Sequence, residues 1–153
     1  MGILTGTKHG DAVNSLLAFY EDEARKLEAA GSYFMAAVAL GTALETALLG
    51  YMLVEWGEDN GGELKIPDDV SLNDLIEAAD HFELLNAVKF RESELSGEHP
   101  VESVIREIQG MRNNLHPAKA LRKSFDPASF DAAQYERLRK IYRAVINNLL
   151  HYL

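Results

Sequence analysis

The sequence predicts an all-α domain, an up-and-down bundle of four to five antiparallel helices, and three observations carry that expectation. Apolar residues recur at helical spacing along most of the 153 residues. No alternating strand pattern, internal repeat or low-complexity tract competes with them. The stretch from Tyr33 to Val54 contains one charged residue, Glu45, and a helix apolar on every side must be enclosed by others. The length suits one domain over 1–153, with residues 1–10 expected as a flexible N-terminus, and is enough for a core that needs no staples.

The first helix is expected from Asp11 to Ala30. Val13, Leu16, Leu17, Tyr20, Ala24 and Leu27 repeat at helical spacing, with acidic and basic residues between them. Gly31 ends it and Ser32 suits the N-cap of the second, Tyr33–Val54. That second helix is long enough to span a bilayer. Its Ala, Gly and Thr content, its central carboxylate and its lack of basic flanks favour a buried core helix instead.

Glu58 to Gly62 is an acidic, glycine-rich loop that Ile66-Pro67-Asp68-Asp69 continues. Ser71 with Asp74 forms a partial capping box ahead of a short third helix marked by Leu72, Leu75, Ile76 and Ala79. Phe82, Leu84, Leu85, Val88 and Phe90 make a less regular apolar stretch. After the break at Ser96-Gly97-Glu98-His99-Pro100, the stripe Val101, Val104, Ile105, Ile108, Met111 defines a fourth helix. It must stop at His116, because Pro117 lacks an amide hydrogen and disfavours the α conformation in the residue before it. A loop is expected to about Pro127, then a last helix with Leu138, Ile141, Tyr142, Val145, Leu149 and Tyr152 on one face.

The net charge of −9 argues against non-specific binding to nucleic acid or an anionic membrane, yet the charge is unevenly placed. Residues 1–100 hold 19 acidic and 6 basic side chains, whereas 101–153 hold 5 and 9. Such a basic last third is either an anion-binding face or the other half of the bundle's own ion pairs. The absence of cysteine excludes disulfides, zinc thiolates and cysteine nucleophiles, and the composition suits a reducing, cytoplasmic setting. Met1 to Lys8 lacks the charged head and apolar run of a signal peptide, and Gly6 stands where a myristoylation signal wants Ser or Thr.

Glu45 is the first chemical clue, since an isolated carboxylate in an apolar interior is several kcal/mol unfavourable or binds a proton. Its expected partner is Arg112 or His116, with water, Thr42 or a tyrosine hydroxyl as the alternatives. Arg112 lies four residues past Ile108, on the inward edge of the fourth helix. If helical geometry reaches His116, Arg112 and His116 share a face at i and i+4 and can converge on one anion, the guanidinium gripping phosphate oxygens and the imidazole moving protons. Together they suit phosphodiester cleavage, with histidine as general base or acid. The opposing reading is structural, because cations at a helix C-terminus are favoured by the macrodipole and Asn113 can serve loop backbone groups. His9, His81, His99 and His151 show no metal-ligand spacing. Glu92, Glu94, Glu98 and His99 form at most a loose cluster, so neither a metal nor a cofactor is expected. There is no phosphate-binding glycine motif and no nucleophile elbow.

The Ala/Gly-rich segment AAVALGTALETALLGYML, the segment SLNDLIEAAD and the element VIREIQGMRNNLHP together resemble the HEPN superfamily of small helical bundles, over residues 20–120. The resemblance implies a four- or five-helix bundle that commonly dimerises, with members that are metal-independent ribonucleases of toxin–antitoxin, phage-defence and CRISPR-associated systems, and others that bind nucleotides, RNA or protein without catalysis. Carried over, the catalytic set is Arg112, Asn113 and His116, joined by Glu45 through its expected pairing with Arg112. Lys119, Arg122 and Lys123 would hold an RNA backbone. The interval between Arg112 and His116 is shorter than the family's usual one. Two functions follow as expectations: a dimeric endoribonuclease, or a non-catalytic module for RNA, nucleotide or an antitoxin-like partner in which Arg112 is locked to Glu45.

Overall fold

The computed structural model describes residues 3–5, 10–59, 65–67, 69–81, 85 and 101–152. It is all-α in class, with six α-helices among the described residues: α1 (Gly10–Ala29), α2 (Tyr33–Asp59), α3 (Leu72–His81), α4 (Val101–Asn113), α5 (Pro117–Arg122) and α6 (Ala132–Tyr152). Phe82, Leu84, Val88, Phe90, the glycine-rich loop at 60–62 and the Glu92-to-His99 cluster lie outside the described residues.

The turn between α1 and α2 forms as its sequence requires. Gly31 adopts a φ of 76°, its N–H donates to Glu28 O at 2.9 Å, and the Ser32 N–H donates to Leu27 O at 2.8 Å. These two bonds are a Schellman closure, and the left-handed residue at its centre is the glycine that tolerates that conformation. α2 then runs through the middle of the molecule, packed against α1, α3, α4 and α6. Leu44, Leu48, Tyr51 and Met52 are buried to 2% exposure or less. Truncating any such leucine to alanine costs roughly 2–5 kcal/mol. The Thr42 and Thr46 hydroxyls donate back to Val38 O and Thr42 O, which satisfies them inside an apolar helix. By length and composition Tyr33–Val54 can cross a membrane, and 72% of its most apolar window is buried inside the protein.

α3 begins at a complete capping box: Ser71 N–H donates to Asp74 Oδ2 at 3.0 Å and Asp74 N–H to Ser71 Oγ at 3.2 Å. A polar knot then ties α3 to α4. Arg106 donates to Asn73 Oδ1 at 2.7 Å and to Gln109 Oε1 at 3.0 Å, while Gln109 Nε2 donates to the same Asn73 oxygen at 3.2 Å.

The structure departs from the sequence expectation in five places, the first being α2, which continues past Val54 to Asp59 and takes in Glu58 and Asp59 of the expected loop. A two-stranded antiparallel ribbon joins β1 (Ile3–Thr5) to β2 (Lys65–Pro67), in the register Ile3↔Pro67, Leu4↔Ile66, Thr5↔Lys65. Three-residue strands are too short to reveal an alternation. α4 ends at Asn113, not at His116, because the following amides of Asn114, Leu115 and His116 bond three residues back instead of four. Within the expected loop, Pro117 starts the six-residue α5 and Pro127–Ser129 forms a 3-10 turn. α6 starts at Ala132, where Asp131 and Gln134 exchange bonds of 3.0 and 2.9 Å in a second capping box.

Candidate functional site

Arg112 occupies the last turn of α4 and crosses onto α2. A β-carbon placed on Gly41 would lie 2.8 Å from Arg112 Cδ and 3.1 Å from its Cβ, so the absence of a side chain at Gly41 is what admits the arginine stem. One turn farther along α2, Glu45 Oε2 lies 2.8 Å from Arg112 Nη2. The expected pair with Arg112 is present, while Thr42 spends its hydroxyl on its own helix and His116 makes no hydrogen bond or ion pair with Glu45.

The pair is close without being well aligned. Glu45 Oε2 is buried and receives no hydrogen bond of acceptable angle, so the 2.8 Å contact is Coulombic more than directional. Burial pushes the Glu45 carboxyl above the usual carboxylate range, and the Arg112 charge pulls it back only in part. Both side chains keep some access to solvent, 28% for Arg112 and 21% for Glu45, which makes this a half-buried pair at the edge of the core.

His116 stands apart from that pair. Its backbone is extended (φ −79°, ψ 117°), it occupies the N-cap of α5 without capping through its side chain, and it is exposed. Helical geometry therefore stops short of His116, and the i, i+4 convergence with Arg112 does not form. Asn113 is half-buried, whereas the neighbouring Asn114 is buried at 8% exposure. The Asn114 amide reaches Met111 Sδ at 3.8 Å, and its Oδ1 has no partner.

Lys119, Arg122 and Lys123 all lie exposed on or just after α5, and none makes an ion pair or hydrogen bond through its side chain among the described residues. Between them Leu121 is 80% exposed, and Leu115 in the preceding turn is 49% exposed. The basic last third thus divides in two. Arg137 donates to Glu107 at 2.6 and 3.1 Å, and Arg139 to Glu136 at 2.8 and 2.7 Å, so these belong to the bundle's own ion pairs. The α5 cations do not.

Sequence reasoning missed Gly41, whose role requires knowing which face of α2 meets α4. It missed Asn114 because two adjacent asparagines give no sign of which one turns inward. Among the described residues no three His, Asp or Glu side chains gather where they could hold a metal ion. The chain matches no family model, no curated protein and no solved structure with which it was compared.

Proposed function

We propose that this chain is a HEPN-like helical domain with an up-and-down arrangement, acting in the cytosol as a non-catalytic interaction module that docks an acidic protein partner at the α4–α5 corner. The observation that carries the reading is the engagement of Arg112. Its stem fills the notch at Gly41 and its head faces Glu45, so the guanidinium serves the bundle first. His116, extended and exposed at the start of α5, lacks the shared helix face that a two-residue phosphodiester catalyst would use.

The character of the corner supports a protein partner over RNA. Single-stranded nucleic acid is gripped by cations together with aromatic stacking platforms, and the large apolar side chains exposed here are leucines. Leu115 and Leu121 ringed by Lys119, Arg122 and Lys123 suit an acidic surface with apolar anchors. A homodimer is part of the same proposal. The exposed apolar side chains on which it rests are Leu16 and Phe19 of α1 and Met35 of α2, while none of the large exposed ones among the described residues lies on α6.

One observation favours the ribonuclease reading as the second choice: Arg112 keeps 28% of its side-chain surface, and its remaining N–H donors can meet an anion. The experiment is incubation of a mixed RNA pool, in EDTA, with wild-type protein whose oligomeric state is set by light scattering, beside folded Arg112→Ala and His116→Ala variants. The module reading expects no cleavage by any of the three. Cleavage by the wild type that both substitutions abolish would replace it with the ribonuclease.

A further inference from the structure

α1 and α6 both pack on α2 but scarcely on each other. Between them lies a cleft of about 540 Å³, within the range of small-molecule sites. It exists because the inward position of α1 is Ala24, too short to reach α6. Leu40 of α2 and the ring of Tyr135 give it an apolar floor, each at 4% exposure or less.

The two walls differ in charge. On the α6 side stand Arg139, held by Glu136, and Arg143, which has no ion-pair partner among the described residues. On the α1 side stand Glu21 and Glu28, with Arg25 between them in sequence and 3.4 Å from Asp22. Tyr142 spans the gap, its hydroxyl donating to Glu21 Oε1 at 2.7 Å, which leaves the second Glu21 oxygen to accept from another donor. Burial first, and then Glu28, push the Tyr135 phenol up to about 12, and burial with the Glu21 contact raises Tyr142 further, so both phenols remain protonated donors at neutral pH.

From this arrangement we infer that the α1–α6 cleft binds a planar organic acid bearing one carboxylate and, at its opposite end, a hydroxyl or amino donor. The unpaired Arg143 guanidinium takes the carboxylate, the apolar floor takes the ring system, and Glu21 or Glu28 accepts from the far donor. Glu21 and Glu28 at the far end favour a donor there over a second anionic group, which separates this ligand class from multiply charged nucleotides. The site is remote in sequence from the α4–α5 corner and shares no residue with it.

The test is a fluorescence titration of the full chain with 6-hydroxy-2-naphthoate, beside 2-naphthol, which lacks the carboxylate, and ATP. Saturable one-to-one binding of the naphthoate is expected, with 2-naphthol and ATP each weaker by about tenfold or more. Ala24→Leu, which fills the cleft, and Arg143→Gln, a surface change that leaves the core intact, are each expected to weaken naphthoate binding about tenfold, and Arg143→Gln is expected to leave 2-naphthol unchanged. No saturable binding of the naphthoate to the wild type, affinity for ATP equal to or above it, or undiminished binding by the Arg143→Gln variant would each overturn the inference.

Discussion

Gly41 and Arg112 form a notch and its filler: the arginine stem lies where a β-carbon on the glycine would stand, 2.8 Å from Cδ and 3.1 Å from Cβ. Replacing a mid-helix glycine by alanine ordinarily stabilises by about 1 kcal/mol. At Gly41 the added methyl meets the arginine near its root, where it cannot swing aside, and overpacking costs roughly 1–3 kcal/mol. Gly41→Ala is therefore expected to destabilise by about 1 kcal/mol net, whereas Gly110→Ala in α4, with nothing within 4 Å of the new atom, is expected to stabilise by about that amount. Urea unfolding of the two variants reads the difference in sign.

The half-buried pair makes a prediction about pH. Glu45 has a folded pKa raised above its ordinary 4.5, with burial as the larger cause. A raised carboxyl means that its contribution to stability is complete below about 4.5 and is lost as pH rises through the folded value. The stability of the wild type relative to Glu45→Gln should therefore decline from about pH 4.5 upward and level off only once pH has passed the higher folded pKa. Denaturation of both proteins across that range checks it, and a difference that grows with pH would contradict it.

Removing the arginine leaves the carboxylate beside an empty notch. Because Arg112 keeps 28% and Glu45 21% of their side-chain surface, water can reach the site, and Arg112→Ala is expected to cost about 1–2 kcal/mol, less than the ~3–5 of a fully buried broken pair. The same substitution should raise the Glu45 pKa further, which carboxyl chemical shifts followed through an NMR titration would show.

Ser124 sits at a φ of 52°, in the position where α1 uses Gly31. Around it the Ser124 N–H donates to Leu121 O and the Phe125 N–H to Ala120 O, and Phe125 anchors the turn against Phe34, with ring centroids 5.1 Å apart. A non-glycine residue held left-handed costs about 1 kcal/mol or more. Ser124→Gly is thus expected to stabilise by about 0.5–1 kcal/mol with no change in the α5 cations. A shift of the urea midpoint to higher concentration with unchanged slope would report it.

Tyr142 and Glu21 join α6 to α1 through a charge-assisted hydrogen bond of 2.7 Å. Tyr142→Phe is expected to cost about 1–2 kcal/mol, since the carboxylate loses a donor but retains partial access to water. Thermal unfolding of this variant, with Tyr135→Phe as a reference, checks it.

Much of the frame is legible in the sequence because it depends on local chemistry. The capping residues Ser71 and Asp74, the glycine after α1 and the single charge between Tyr33 and Val54 are each a short-range statement about hydrogen bonds or solvation. Even the long-range pair is legible, because a lone buried carboxylate demands a cation and Arg112 lies on the inward edge of its helix. What resists reading is the relation between faces. Gly41 looks like any small residue in an Ala-rich helix until α4 is laid across it. The six residues of α5 are too few to show a period, although Pro117 marks their start. The same proline that ends α4 also draws His116 out of helical geometry, so the rule that stops the helix removes the histidine from the face of Arg112. The Asp131–Gln134 box was open to reading and sets the start of α6 beyond the one expected from Pro127.

The ribbon of β1 and β2 gives the long α1–α2 hairpin a clasp at its base. Residues on either side of the two helices are fastened by backbone amides and carbonyls, and Ile66 of β2, buried at 4% exposure, seats the ribbon on the core. Its boundary does depend on one residue, because Pro67 opposite Ile3 has no hydrogen to donate and ends the ladder there. Apart from Ile66 and Pro67 the clasp is held by groups that every residue carries, and what it cannot absorb is a change in the number of residues that sets its register.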